Sequence, residues 1–402
     1  MFERLKVSSF LAYKSIVQGN KSTILLTVLI ISLAFVNMVF TSSLFGGLTE
    51  TSNNQVIDTV CGDIVIVPRE DEKWIEGVSN IQKKIDAIPG VVGSSARYRC
   101  GVTISYEDES GGWEIYSIDP IREMLVTNIH EKVVEGEYLT RSDKDEIVIG
   151  KEISGTHGAV FEQESLKGVK VGEKVSVVFP NGVKKEYRVK GIFDSTFITA
   201  DRRAFITQKE MESVLGIDDR ASDIIVRIDE VDKGEEEKYI TQFKELGIGE
   251  EIRSWKSYTG IIESMVKSFD IINKMVGGIG LLVAAITIFI VIYVNVINKR
   301  KQMGILRAVG IKEDVIIGSL VMQAIFFAIC GSIIGLVFFF LAVAPYFVAH
   351  PLHFPMGDVT LLISYHAIII NLASLITASL IAGFIPSWMS VRENILDAIW
   401  VR

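Results

Sequence analysis

Four long stretches of this 402-residue chain, 22–42, 275–297, 315–343 and 361–388, contain no Lys, Arg, Asp or Glu. A bilayer core about 30 Å thick is crossed by roughly 20 helical residues rising 1.5 Å each. All four runs are long enough. A helix on a soluble core keeps charge on its solvent face, so runs uncharged on every face point to lipid. The first run could instead be a signal peptide. It is longer than the usual apolar signal core, shows no small-x-small cleavage pattern and begins only at residue 22, so it reads as a retained span.

Charge is distributed to match. The segment 50–270 carries 29 Lys/Arg against 43 Asp/Glu, while the rest carries 12 against 6. That segregation lets a chain with 49% hydrophobic residues and a mean hydropathy of +0.36 still have a net charge of -8. An acidic domain repels phosphate backbones, so no nucleic-acid partner is expected. Basic residues near the span ends fix orientation. Arg4, Lys6, Lys14 and Lys21 precede the first run. Lys299, Arg300, Lys301, Arg307 and Lys312 separate the second from the third, and Arg392 and Arg402 follow the fourth. The stretch 344–360 has none.

The expected product is a multi-pass α-helical protein of the cell membrane with both termini cytoplasmic. Its expected parts are a cytoplasmic amphipathic lead-in helix (1–21), a first span (22–43) and a large extracytoplasmic α+β domain with a stalk (44–270). Then come a second span (271–298), a cytoplasmic coupling loop (299–314), a third span (315–345), an outer loop (346–360), a fourth span (361–388) and a cytoplasmic tail (389–402).

Within the outer domain, residues 64–67, 146–149 and 224–228 read as strands. Two alternating runs over 175–193 flank Pro180-Asn181-Gly182, a hairpin signal because Asn-Gly supplies positive φ. Ile75, Val78, Ile81, Ile85 and Ile88 recur at helical spacing over 74–88, and 239–246 reads as another helix. The acidic run Glu235-Glu236-Glu237 reads as a solvated helix end. Ile261, Ile262, Met265, Phe269 and Ile272 follow a helical stripe, which extends the second span outward as a stiff stalk. Cys61 and Cys100 read either as a disulfide of an outside domain or as two free thiols; Cys330 lies in an apolar run.

Catalytic signatures are absent from the sequence. Gly150-Lys151 is followed by Glu152 rather than Ser or Thr, so it is no phosphate cradle, and no zinc-protease, nucleophile-elbow or dinucleotide pattern occurs. No cofactor is expected in this chain. His350 and His353, with Met356 close by, could ligate a metal or haem iron; the plainer reading is an interfacial loop with amphipathic rings at headgroup level, in contact with lipid. Charged groups inside spans usually mark ion or proton relays, and their absence directs the search for an energy source to the cytoplasmic face.

That face carries a motif. Residues 299–311 read KRKQMGILRAVGI. This resembles the signature after the second span of MacB/FtsX-type ABC transporter permeases, roughly R-x-x-E-I-G-I-L-R-A-hydrophobic-G, with Gly304, Ile305, Leu306, Arg307, Ala308 and Gly310 matching. Gln302, Met303 and Gln323 stand where the family often has Glu, Ile and Glu. The lead-in 2–20 and the closing run Asn394-Ile395-Leu396-Asp397-Ala398-Ile399, without the family's proline, agree with the resemblance, as does the layout of one span, a large outer domain and three spans.

The resemblance implies a non-catalytic permease subunit. Separate ABC ATPase subunits would bind ATP and Mg and dock on the 299–314 loop through Gly304, Ile305, Leu306, Arg307 and Gly310; the alternative is that the basic residues only set topology. It further implies a dimer with a second copy or a paralogue, and export or extraction of a substrate at the outer membrane face, with an extracytoplasmic adaptor as a possible partner. In the FtsX branch, such a subunit signals across the membrane to a cell-wall hydrolase. Gly331 and Gly335 permit close helix packing, within one chain or between two.

Overall fold

The computed structural model describes residues 2–156, 158–229, 231, 234–258, 260–354 and 357–391. Its main helices are α1 (Phe2–Val17), α2 (Lys21–Val56), α3 (Val78–Asp86), α4 (Pro120–Val126), α5 (Gln208–Leu215), α6 (Glu236–Glu245), α7 (Gly260–Ala308), α8 (Glu313–Phe338) and α9 (Tyr365–Val391). Ten strands form one sheet: β1 (Ile64–Val67), β2 (Val91–Tyr106), β3 (Glu109–Ile118), β4 (Val133–Gly136), β5 (Glu146–Gly150), β6 (Lys174–Val178), β7 (Lys184–Phe193), β8 (Arg203–Thr207), β9 (Asp223–Ile228) and β10 (Glu251–Ser254). The chain divides into two compact units, one of Met1–Thr49, Val266–Leu352 and Val359–Arg402, the other of Glu50–Met265 and His353–Asp358.

The first unit is helical. Among the described residues, four helical stretches are long and apolar enough to cross a membrane: Lys21–Cys61, which runs on into the second unit, Lys267–Ala308, Glu313–Ala349 and Tyr365–Met389. On α2 the two faces differ in environment but not in polarity. Ile31 and Phe35 are fully buried, while Leu25, Leu26, Leu29 and Leu33 are 57–68% exposed. A leucine gains about 1.5–3 kcal/mol on leaving water, so a face of exposed leucines is stable only against an apolar medium.

Helix contact inside this unit depends on small residues. A Cβ on Gly331 would lie 2.6 Å from Ile31 Cγ2, and one on Gly335 would lie 3.0 Å from the Ser32 carbonyl oxygen. The Gly331/Gly335 pair therefore seats α8 on α2 of the same chain. Gly383 likewise brings α9 onto Ala324. Gly277 and Gly278 face open space instead. The lead-in helix α1 turns Ser8 and Ala12 inward and packs along α8, while Phe10 stays 61% exposed.

The second unit is α+β. Strand order is β10-β1-β9-β2-β3-β8-β5-β7-β4, with β6 paired to β2 and β7. Most pairs are antiparallel; β3–β8 and β5–β7 are parallel. The Asn181-Gly182 turn joins β6 to β7, pairing Val178 with Lys184, and Gly182 has φ +83° as the turn requires. Three apolar clusters line the sheet; the central one takes in Val56, Ile57, Val60 and Cys61 together with Tyr116, Phe193 and Phe205. All three cysteines are free thiols, with Cys61 buried.

Several expectations change here. The helix expected over 74–88 begins only at Val78, after Gly77 at φ +67°; Ile75 and Glu76 form a short strand against Arg220 and Ala221, and Trp74 stacks on Tyr98. The acidic run at 235–237 is not wholly solvated: Glu236 is 6% exposed and accepts a hydrogen bond from Trp255 Nε1 at 3.2 Å. The side chains of Ile261, Ile262 and Met265 on the expected stalk lie outside the described residues.

Candidate functional site

The family-like motif lies where α7 ends and α8 begins. Lys and Arg are good helix formers, so the charges at 299–301 do not end α7, which runs on to Ala308. The segment 299–314, expected to be a loop, is thus helix through Ala308 and again from Glu313, with a turn at 309–312. Gly304 lies inside the helix and is buried, so it is not a turn glycine.

Gly310 is the turn residue. It has φ +99°, its N–H bonds the Arg307 carbonyl at 3.0 Å, and the Ile311 N–H bonds the Leu306 carbonyl at 3.0 Å. This paired pattern closes a helix on a left-handed residue and satisfies carbonyls that the helix leaves open. Glu313 and Asp314 then start α8, where acidic side chains favour the positive end of the helix dipole.

Arg307 braces this turn. Its Nη2 donates to Glu313 Oε1 at 2.7 Å, and its side chain is 15% exposed. The guanidinium expected to reach a partner thus pairs with Glu313 within the chain. The tip offers apolar groups instead: Ile305 is 48% and Val309 78% exposed, and Lys301 and Lys312 are exposed beside them.

Behind the tip lies a groove of about 360 Å3 between α1, α7 and α8. Leu11 and Gln18 line it from α1, Gln302 and Leu306 from α7, and Ile316 and Leu320 from α8. Its floor is a polar knot. Ser15 Oγ donates to Gln323 Oε1 at 3.2 Å, Gln323 Nε2 donates to the Ser319 carbonyl at 3.2 Å, and Lys299 Nζ donates to Ser15 Oγ. Ser8 Oγ adds a bond to the Val315 carbonyl at 3.0 Å. The knot fastens α1 to both long helices. With Gln at 323 it needs no buried carboxylate, and Lys299 is the charge at its edge. The contribution of Ser15 was not legible in the sequence, because nothing in its spacing points to a residue 308 positions away.

Of the expected trio His350, His353 and Met356, the methionine lies outside the described residues. His350 stacks on Tyr346 with ring centroids 4.9 Å apart, and His353 bonds Asp358 through Nδ1. Among the described residues no group of three or more His, Cys, Asp or Glu is placed to hold a metal. Gly357 belongs to the second unit, where a Cβ on it would lie 2.9 Å from Gln55 Nε2. The closing run 394–399 and Arg392 and Arg402 lie outside the described residues.

Comparison with known proteins gives two matches to family models. One, described as FtsX-like permease C-terminal, covers residues 274–395; the other, described as MacB-like periplasmic core domain, covers residues 24–242. The protein called Uncharacterized ABC transporter permease MJ1507, of Methanocaldococcus jannaschii, is 25% identical over 414 residues, covering 99% of each chain. Among solved structures, the periplasmic region of MacB from Actinobacillus actinomycetemcomitans is 13% identical, with a TM-score of 0.38, covering 52% of this chain and 96% of that one. The extracellular domain of the noncanonic ABC-type transporter YknZ from Gram-positive bacteria is 14% identical, with a TM-score of 0.35, covering 48% and 97%.

Proposed function

Because the chain belongs to the MacB/FtsX-type ABC transporter permease family, we propose that it is a non-catalytic subunit driven by a separate ATPase docked on the inner tip of α7 and the groove behind it. The observation that carries this reading is the groove itself: an apolar-walled notch of about 360 Å3 held open by a polar knot, next to the exposed Ile305 and Val309. A partner helix or loop fits such a notch with its own apolar side chains, and Lys301 and Lys312 favour an acidic rim on that partner. Mg-ATP belongs to the partner chain.

Closure of two ATPases around ATP then pushes the 309–312 turns of two permease copies, or of this chain and a paralogue. α2 and α7 each contribute residues to both units, so a tilt of either helix is a covalent input to the outer domain. The output is movement of a substrate at the outer membrane face, with no wide aqueous pore needed.

The test is co-purification with a co-expressed ABC ATPase, together with ATP turnover of the complex. Ile305→Asp with Val309→Asp should abolish binding or coupling, and Leu306→Asp should do the same from the groove wall. Unchanged binding and turnover in both would remove the reading. If the variants lose coupling but the complex moves no substrate, and the outer domain captures a cell-wall hydrolase, the FtsX-like signalling role replaces export.

A further inference from the structure

The outer end of α2 enters the sheet by a very short route. The helix passes Val56, makes one wide turn over Ile57–Cys61, and at Gly62 becomes the lead into β1. Gly62 has φ +65°, and a Cβ there would lie 2.6 Å from the Val226 carbonyl oxygen, so only glycine fits. A glycine between a long helix and a strand is a natural hinge. Packing of Val56, Ile57, Val60 and Cys61 seats the turn before it in the core, and Gly62 bridges Val226, but apolar burial is non-directional and does not by itself fix the angle at which α2 leaves the sheet.

Arginines close that hinge. The last carbonyls of a helix have no partner within it and carry its negative end. Here the Val60 carbonyl accepts from Arg97 Nη1 on β2 and, at 3.4 Å, from Arg203 Nη1 on β8. Arg227 on β9 reaches Asp58 Oδ1 at 2.8 Å and the Ile57 carbonyl at 3.5 Å through Nη2, while its Nε holds the Val126 carbonyl at 3.0 Å. Arg97 is itself anchored. It is 1% exposed and forks onto Glu123 of α4 through Nε, at 3.2 Å, and Nη2. Burial works against a charged Glu123, but Arg97, Ser95 and Thr127 more than offset it and hold the carboxyl below its usual range.

We propose that Arg97 and Arg227 are positioning residues that lock the Gly62 joint, so that displacement of α2 is delivered to β1, β2 and β9 as one rigid piece. This rests on the ATPase-driven reading above. The planar guanidinium fork suits the task, because it holds several acceptors in fixed directions where a lysine would hold one. The Val60 side chain packs in the core while the arginines take its carbonyl, so their grip acts on the backbone that must transmit the motion.

The test uses the full chain with Cys100 and Cys330 replaced by Ser and spin labels on Glu50→Cys, at the outer part of α2, and Thr103→Cys, on β2. The locked joint gives one narrow distance distribution. Arg227→Gln should broaden it at least about twofold, Arg97→Lys should broaden it less, and Arg253→Gln, at an exposed pair with Glu251, should leave it unchanged. A merely structural role would lower the melting temperature without changing the width. An Arg227→Gln distribution as narrow as wild type overturns the proposal, and it decides the matter even where Arg97→Lys fails to fold.

In the complex with the ATPase trapped by vanadate, wild type should shift the mean distance. Arg227→Gln should keep ATP turnover and lose the shift. A wild-type complex with no nucleotide-dependent shift would defeat the ATPase-driven reading, while the widths without nucleotide would still judge the joint.

Discussion

α2 is held in two different ways along its length. In its apolar inner part, Gly331 and Gly335 of α8 press against Ile31, Ser32 and Phe35, and shape does the work. At its other end, in the sheet-containing unit, buried Arg97, itself paired with Glu123, and half-buried Arg227 take hold of the turn that follows it by charge. The difference follows from the solvent. Lipid gives helices no hydrophobic reason to associate, so they rely on close approach of small residues. In a water-exposed domain the sheet is already driven together by burial, and paired charges can be spent on direction. The comparison predicts that the outer joint fails when a charge loses its partner, and that the inner seam fails when a methyl group is added.

The largest effect should come from Arg97→Met. It leaves Glu123 buried without its partner, and breaking such a pair costs about 3–5 kcal/mol. Thermal melting of the purified full chain should show a large loss, and adding Glu123→Leu should recover most of it. If the double variant is no better than the single, the cost lies in the Val60 contact rather than in the stranded charge.

A pH series probes the same contrast. Asp201 is fully buried, and burial pushes its carboxyl up to about 7, only partly countered by Ser195 and by Lys151 at 4.0 Å. A carboxyl raised in the folded state adds stability in its neutral form. That contribution is complete below about pH 4, where the unfolded group is also protonated. It is lost as pH rises through about 7. The shift sets a ceiling of about 4 kcal/mol on the change. Asp201→Asn should therefore be more stable than wild type at pH 8 and close to it at pH 4. Equal pH dependence in the two proteins would show that Asp201 is not the titrating group.

Gly331→Val tests the inner seam. The added carbons meet Ile31, and overpacking of this kind costs about 1–3 kcal/mol. Gly278→Val, at a position facing open space, should leave folding unchanged. Both are read by unfolding of the full chain in bicelles, and a Gly278 effect as large as the Gly331 effect would place the critical contact between chains. The smallest effect belongs to the exposed Arg253–Glu251 pair, where Arg253→Gln should cost less than about 1 kcal/mol.

The sequence disclosed the parts of this protein that depend on periodicity or on local turn chemistry. Uncharged runs marked the long helices, and Asn181-Gly182 marked the β6–β7 hairpin. Charge was a poorer guide. The cluster at 299–301 suggested a loop, but lysine and arginine prolong a helix, and the stop came from Gly310 instead. Arg307, matched to the family motif, also pairs with Glu313 six residues later, a contact the motif's spacing does not disclose. Ile75 fitted a helical stripe by spacing, and pairing with a distant strand overrode it. The grip on Val60 was illegible for a plain reason: it joins residues 60, 97, 123 and 227, whose proximity exists only once the sheet has formed.

In the proposed mechanism, force enters at the 309–312 turn from a separate ATPase. A photo-crosslinking amino acid placed at Val309, irradiated in living cells, tests the side of the membrane and the partner together. The account predicts a crosslink to the ABC ATPase chain, absent when the same group is placed at Thr103 on the outer sheet. A crosslink from position 309 to an extracytoplasmic protein, or none to the ATPase while the complex turns over ATP, would contradict it.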